Sequence, residues 1–306
     1  MIRTRSSGLR AFEREVGPSG PIAIEGARTR WDRGGTVDAD ARLLRAPDGV
    51  LDSSPGDMTV RVLCGTEVAE LHQALGREGQ RTALPERGGT VGGALAVGDD
   101  DLSAPGLGTV RAALLECTTV SAEGRLVTGG GPTVKNVSGY DVPRLMVGAL
   151  GTLGPLVEVL LRTVPDAPAS RWWRADDADV SALRSGLYRP AALCSDGTST
   201  WVHLRGHVDD VAAQHRIILR HGSFVDVEMG PRIPAWRWVV PRAEVGRWVA
   251  EGRGNGLACL LTGRLWRSDR QPERSVDPNV IVLHRRMRQL FDPTGRFNPG
   301  RDVLRD

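Results

Sequence analysis

Glycine is dense in three places along this chain of 306 residues: 26–35, 88–98 and 148–154. Without a Cβ, the backbone N–H groups of such loops can approach a phosphate, and positive φ costs nothing. A single loop of this kind is an ordinary tight turn. Three in order, each after a short apolar strand or before a helix, point to an extended anionic cofactor. The two commonest phosphate signatures are missing. No G-x-G-x-x-G follows a strand with an acid about 20 residues further on, and no G-x-x-x-x-G-K-[ST] occurs. Lys135 is the only lysine in a chain with 40 lysines and arginines together, and Tyr140, one of two tyrosines, stands between Gly139 and Asp141. An ammonium is a compact point charge, which reaches a phosphate or an electron-rich ring edge differently from arginine's planar fork.

Other chemistry is excluded more easily than it is assigned. Cys64, Cys117, Cys194 and Cys259 are scattered and form no C-x-x-C pair, which excludes a local iron–sulfur or zinc-ribbon motif. The apolar neighbours of Cys64 and Cys259 predict buried, reduced thiols. His203 and His207 have the spacing of a helical metal pair, but Trp201–Arg205 reads as a strand. There four residues span roughly 13 Å, too far for one ion. No metal is expected. A net charge of +3 with arginines spread along the chain argues against a nucleic-acid binder. The start lacks an apolar leader and no run is long enough to span a membrane, so a soluble cytoplasmic protein is expected.

The elements that must position the three loops follow from periodicity. Leu9, Phe12 and Val16 predict a short helix over 7–16, and Pro21–Ile24 a brief strand into the first loop. Strands are expected at 42–50, 58–63, 110–120 and 125–128, the last two joined by a Glu123-Gly124 turn. A helix over Thr66–Gly79, with Thr66 as N-cap, precedes the second loop. Another helix covers 141–150. Leu156–Val164 is nearly all apolar and reads as a buried strand. The two prolines of Pro165-Asp-Ala-Pro168 mark a hinge, placing one domain at 1–165 and a second at 166–306. Seven of the eight tryptophans follow residue 170, as do helices expected over Val208–Arg220, Ala243–Ala250 and Val280–Leu290. This is an α+β chain, without the βαβα cadence of a Rossmann domain.

In this order the motifs resemble flavoproteins of the vanillyl-alcohol-oxidase superfamily, whose FAD-binding domain is named after p-cresol methylhydroxylase. Within it they resemble the E subunits of bacterial glycolate oxidase. The matching blocks are Pro21–Gly35, Gly89-Thr90-Val91-Gly92-Gly93-Ala94, Lys135-Asn136-Val137 with Gly139-Tyr140-Asp141, Gly151-Thr152-Leu153-Gly154, Trp236-Arg237-Trp238, and the terminal Phe291-Asp-Pro-x-Gly-x-Phe-Asn298-Pro-Gly300-Arg301. The resemblance implies a two-subdomain PCMH-type FAD-binding fold followed by a small α+β C-terminal domain, a reduced cap, whose terminal segment returns to the flavin. It implies a cofactor site made of Gly26, Ala27, Arg28 and Thr29; of Gly89, Thr90, Val91, Gly92, Gly93 and Gly98; of Lys135, Asn136, Gly139, Tyr140, Asp141, Gly151, Thr152, Leu153 and Gly154; and of Asn298. Backbone amides of the first two loops would hold the pyrophosphate.

The family's chemistry is hydride transfer from an α-hydroxy acid to flavin. By resemblance the chain is the FAD-binding subunit of a glycolate or D-lactate dehydrogenase or oxidase. Its partners are a second flavin subunit and an iron–sulfur subunit, and its place is cytoplasmic or peripheral at the inner membrane through them. The FAD is non-covalent, because no histidine stands where some relatives link it. No residue is singled out as catalytic base. Two departures matter. The first loop usually reads Gly-x-Gly-[Thr/Ser], and here Arg28 replaces the second glycine. If φ is positive there, that costs about 1 kcal/mol, and Arg28 either faces the pyrophosphate or is a solvated loop arginine. Asp99-Asp100-Asp101 replaces a small Ser-Gly pair and is expected to face solvent. A flavin-free structural subunit and a stand-alone flavin oxidoreductase are the competing readings.

Overall fold

The computed structural model describes residues 7–132, 141–252, 254–272 and 275–305. In chain order it begins with α1 (Ser7–Val16), β1 (Ile22–Ile24), β2 (Arg42–Leu44), β3 (Val50–Ser54), β4 (Thr59–Leu63), α2 (Val68–Gly76), β5 (Gln80–Thr82) and α3 (Val91–Val97). Then come α4 (Ala104–Leu107), α5 (Val110–Ala113), β6 (Leu114–Val120), β7 (Leu126–Gly130), α6 (Val142–Met146), β8 (Leu156–Pro165) and β9 (Ala169–Ala175). The remainder is α7 (Val180–Gly186), β10 (Ala192–Ser195), β11 (Thr200–Gly206), α8 (Val208–Ile218), β12 (Val225–Val227), β13 (Trp236–Trp238), α9 (Arg242–Ala250), β14 (Gly256–Cys259), β15 (Arg264–Arg267) and α10 (Pro278–Phe291).

Two compact units result. The first takes the described residues of Met1–Asp99, Thr109–Pro165 and Arg274–Arg305, and the second those of Asp100–Gly108 and Asp166–Glu273. Both depart from a single cut at residue 165. The terminal helix and tail rejoin the first unit because Phe297 bridges to Ile22 and Asn298 N–H donates to the Ile22 carbonyl at 2.8 Å. Residues 100–108 join the second because Leu102 is buried with Ala192, Cys194 and Trp266.

In the first unit the apolar run of β8 becomes the centre of an antiparallel sheet ordered β3-β4-β8-β6-β7, with β5 also pairing to β8. One core lies between this sheet and the helices. Val60, Val62, Val159 and Leu161 pack with Val68, Leu71 and Leu75 of α2 and with Val91, Ala94 and Leu95 of α3. Each fully buried aliphatic side chain contributes about 1.5–3 kcal/mol relative to exposure. A second core joins Leu9, Phe12 and Val16 of α1 to Ile22, Val157 and Phe297, fixing the parallel pair β1–β2.

Local chemistry shifts several boundaries. Thr66 does not cap α2: its hydroxyl accepts the Gly49 N–H at 2.7 Å, and the helix starts beyond it without a side-chain cap. Residues 110–113 turn helical where a strand was expected, because Thr109 Oγ1 accepts the Ala112 N–H at 3.1 Å. The expected helix over 141–150 stops at Met146, before Gly148 at φ 84°. Glycine is required in the β6–β7 turn, since a Cβ on Gly124 (φ 74°) would stand 2.6 Å from the Gly17 carbonyl carbon.

The second unit is an antiparallel sheet ordered β12-β9-β11-β10-β14-β15-β13, with α7, α8 and α9. Three of its seven tryptophans, Trp173, Trp248 and Trp266, are buried, and Trp172, Trp201 and Trp238 are partly buried against the cores. His203 is also buried, stacked on Trp172 with centroids 4.4 Å apart and 2.8 Å from Ser170 Oγ. His207 stands at the exposed N-cap of α8, so the two histidines serve different elements.

Candidate functional site

A cleft opens in the first unit, with about 110 Å³ of space accessible to water-sized groups. One wall is the end of β1 and the loop Glu25–Trp31. The other is Cys64-Gly65 after β4, with Thr90, Gly92, Gly93, Ala96 and Val97 of α3 and its cap. Met146, Leu150, Gly151, Gly154, Pro155 and Leu156 close it on a third side, and Asn298 and Arg301 complete it.

Glycine brings these walls together. A Cβ on Gly26 would lie 2.5 Å from Thr90 Oγ1, and one on Gly65 only 2.1 Å from the Ala46 carbonyl oxygen. Asn298, at φ 43°, is a latch: its Oδ1 accepts the Ile24 N–H at 2.9 Å and its Nδ2 donates to the Leu150 carbonyl at 2.7 Å. Gly151 must be glycine beneath it, because a Cβ there would meet Asn298 Nδ2 at 2.1 Å.

The backbone N–H groups divide into two sets. Those of Val91, Gly92, Gly93 and Ala94 are taken by Thr66 O, Cys64 O, Thr90 Oγ1 and Thr90 O at 2.8–3.2 Å. Those of Gly26, Ala27, Arg28, Thr29, Gly89 and Thr90 find no partner among the described residues. Amides of both kinds of loop therefore remain for an anion, but in the second loop only those before α3. Glu25 does not spoil this. Hydrogen bonds from Arg28 and Arg45 hold its carboxyl below the usual carboxylate range and neutralise it, at 2.7 and 2.5 Å.

Ten of the sequence-derived candidates line the cleft: Gly26, Ala27, Arg28, Thr29, Thr90, Gly92, Gly93, Gly151, Gly154 and Asn298. Six lie elsewhere. Val91 is fully buried in the core, and Gly89 packs on Thr29 beside the cleft. Gly98 (φ 67°) ends α3 against Gly148. Asp141 caps α6 at the surface, accepting from Arg144 N–H at 3.3 Å. The Thr152 hydroxyl donates to the Ala149 carbonyl at 2.7 Å, and Leu153 packs on the core. Lys135, Asn136, Gly139 and Tyr140 lie outside the described residues. Arg30, Trp31, Cys64, Gly65, Pro155 and Arg301 line the cleft without having been candidates. Nothing in residue type marks them; Cys64 and Gly65 are placed by the end of β4 and Arg301 by the tail, while Arg30, Trp31 and Pro155 continue the loops of neighbouring candidates.

Both departures resolve. Arg28 sits at φ 55°, the left-handed region that favours glycine. Its guanidinium binds Glu25 and lies 5.1 Å from the Trp31 ring centroid. The acidic triplet does not face solvent. Asp99 and Asp100 are buried, Asp99 against Arg33 at 2.8 Å and Asp100 against Arg264, and Asp101 Oδ1 accepts the Leu102 N–H at 2.6 Å. Arginine partners make that burial possible, and they remove the repulsion three carboxylates would exert on a diphosphate.

The backbone strain at Arg28 is testable. Arg28→Val is expected to be about 1 kcal/mol or more less stable than Arg28→Gly in urea unfolding, because a β-branched residue is poorly accommodated at positive φ. Equal stability of the two would show that the loop leaves the left-handed region.

This architecture, an antiparallel sheet and a small parallel pair enclosing a glycine-walled cleft, is the PCMH-type FAD-binding fold. Among solved structures it superposes on the BBE-like 1 protein of Physcomitrella patens with a TM-score of 0.51 at 17% identity, over 68% of this chain and 49% of that one. No family model matches the chain. Across nearly its whole length the chain is a relative of glycolate oxidase subunit GlcE of Escherichia coli, 27% identical over 96% of this chain and 95% of the relative. It is also 30% identical to a D-lactate dehydrogenase of Archaeoglobus fulgidus, over 47% of this chain and a third (33%) of that one. The resemblance drawn from the motifs therefore holds.

Proposed function

We propose that the chain is the FAD-binding subunit of a multi-subunit dehydrogenase or oxidase of 2-hydroxy acids. The observation that carries this is the convergence of both early glycine loops, the 151–156 segment and the tail on one cleft, closed by a hydrogen bond between residues 274 positions apart, Ile24 and Asn298. The substrate class, glycolate or D-lactate, is supported by the names of the relatives, and the word subunit in one of them supports a multi-subunit complex; a second flavin subunit and an iron–sulfur subunit complete the proposed electron path. No described helix is long and apolar enough to cross a membrane; a location in the cytoplasm, or at the inner membrane through partner subunits, is part of the proposal.

FAD, when bound, supplies the hydride acceptor. The chain's own residues do the rest of what can be assigned. The amides of Gly26–Thr29 and Gly89–Thr90 face the need of an anion for donors, and Asn298 fixes the 150–154 wall against β1. Among the described lining residues there is no histidine or tyrosine, and the one thiol, Cys64, is buried and pushed far above its ordinary range by desolvation. A thiol held protonated is a poor nucleophile, which supports non-covalent binding.

Purified protein is therefore expected to be yellow and to release intact FAD on denaturation. A colourless preparation that takes up no added FAD would decide for a flavin-free structural subunit. With a dye acceptor the isolated chain should oxidise 2-hydroxy acids feebly or not at all; robust turnover would make it a stand-alone oxidoreductase.

A further inference from the structure

Three arginines line the cleft, and two are committed. Arg28 is held by Glu25, and Arg301 donates to the Arg33 carbonyl and lies 4.7 Å from the Trp31 ring centroid. Arg30 differs. Its Nη1 is buried and has no hydrogen-bond partner. Its Nη2 reaches only the Gly88 carbonyl, at 3.4 Å, beyond the roughly 2.7–3.2 Å of an ordinary N–H···O bond.

No countercharge is spare nearby. The charges acting on Arg30 are Arg87, Arg33 and Asp99, and Asp99 is bound to Arg33 at 2.8 Å. Burial first, then Arg87, lower the Arg30 guanidinium below its ordinary value. The group stays charged all the same, since a guanidinium does not deprotonate in a protein. The Gly88-Gly89 loop lies directly against it. A Cβ on Gly89 (φ 92°) would meet Thr29 Oγ1 at 2.7 Å and Arg30 Nη2 at 3.4 Å. A buried guanidinium nitrogen without a partner is costly. Here it borders the loop of Gly89 and Thr90, whose amides also lack partners among the described residues, so an anion at this loop would meet both.

We propose that Arg30 is the cation that receives the diphosphate of the dinucleotide, so that this chain adds a charged side chain to the neutral loop amides and selects FAD over flavins that lack the diphosphate. The inference rests on the reading of the cleft as an FAD site. Arginine suits the role because its planar fork donates two parallel, charge-assisted bonds to phosphate oxygens. Arg28, the residue that replaces the family's glycine, does not serve it: its charge is spent on Glu25.

The test compares the full-length wild type with Arg30→Gln and Arg30→Lys, titrated with FAD, riboflavin and inorganic pyrophosphate. Arg30→Gln should bind FAD and pyrophosphate about 10- to 100-fold more weakly, the loss of a charged hydrogen bond, with riboflavin affinity unchanged and part of the loss recovered by Arg30→Lys. The Arg30→Gln apoprotein should melt at or above the wild-type temperature, because a half-buried charge whose buried Nη1 has no partner has been removed. Unchanged FAD affinity in Arg30→Gln overturns the proposal while the FAD site stands. So does an equal loss for FAD and riboflavin, which would make Arg30 a residue of the fold. Wild type that binds pyrophosphate through Arg30 but no FAD keeps the anion site and removes the flavin reading. Wild type that binds neither removes both.

Discussion

Gly92→Val should purify without flavin and bind added FAD at least about tenfold more weakly than the wild type, a decade of affinity being about 1.4 kcal/mol. The reason is local. Gly92 donates its N–H to the Cys64 carbonyl at 2.8 Å, which seats the first turn of α3 on the end of β4. A Cβ there would stand 3.0 Å from both the Cys64 carbonyl oxygen and Cys64 Cβ. Those atoms belong to a buried strand end and cannot swing aside, so the first turn of α3, which lines the cleft through Gly92, must shift. Overpacking of this kind costs about 1–3 kcal/mol, and the stiff valine rotamer gives no relief. Gly93→Ala is the matched control. Its Cβ would approach only Thr90 Oγ1, at 3.2 Å, a side-chain atom that can adjust. Flavin absorbance per protein and fluorescence titration read both variants. Full flavin content in Gly92→Val would mean that this loop does not wall the cofactor, whatever the fate of Gly93→Ala.

The contrast between Gly92 and Val91 shows how far the sequence could be read. The block Gly89–Gly93 announces a loop before a helix, and the helix is there with Thr90 as its cap. Which of its residues faces the cleft depends on the rotation of a seven-residue helix, set by the Gly92–Cys64 hydrogen bond with a residue outside the motif. The strong periodicities of α1 and β8 were legible because they reflect burial on one side or on both. The ends of α2, α5 and α6 were not, since each is decided by one side chain or one glycine. Arg30 and Arg301 are two arginines in a chain that writes nearly every cation as arginine, and only folding distinguishes the one whose buried Nη1 has no hydrogen-bond partner. The acidic triplet is deceptive for the opposite reason. Three adjacent carboxylates read as solvated, and nothing in the local sequence announces Arg33 or Arg264, which lie 66 and 164 positions from their partners Asp99 and Asp100.

Asp99→Asn is expected to cost about 3–5 kcal/mol of stability, the usual penalty for removing one member of a buried ion pair. The Arg33 and Asp99 side chains are 8% and 2% exposed and 2.8 Å apart. Asparagine keeps the shape, so the loss measures charge and not a cavity. By contrast Asp226→Ala, which breaks the open Arg171–Asp226 pair at 3.8 Å with both side chains more than half exposed, should cost less than about 1 kcal/mol. Urea unfolding of the apoproteins reads the difference as a change in midpoint at constant slope. The buried pair also bears on the cleft. Asp99 acts on Arg30 against the like charges of Arg87 and Arg33, so its neutralisation makes the surroundings of Arg30 more positive. A diphosphate at the proposed site would then be held more tightly, and ligand that binds only the folded state raises stability by mass action. FAD should therefore raise the melting temperature of Asp99→Asn by more than it raises that of the wild type. An equal rise would uncouple the pair from the anion site. A loss below about 1 kcal/mol in the apoprotein would show that Arg33 does not depend on Asp99 for its charge.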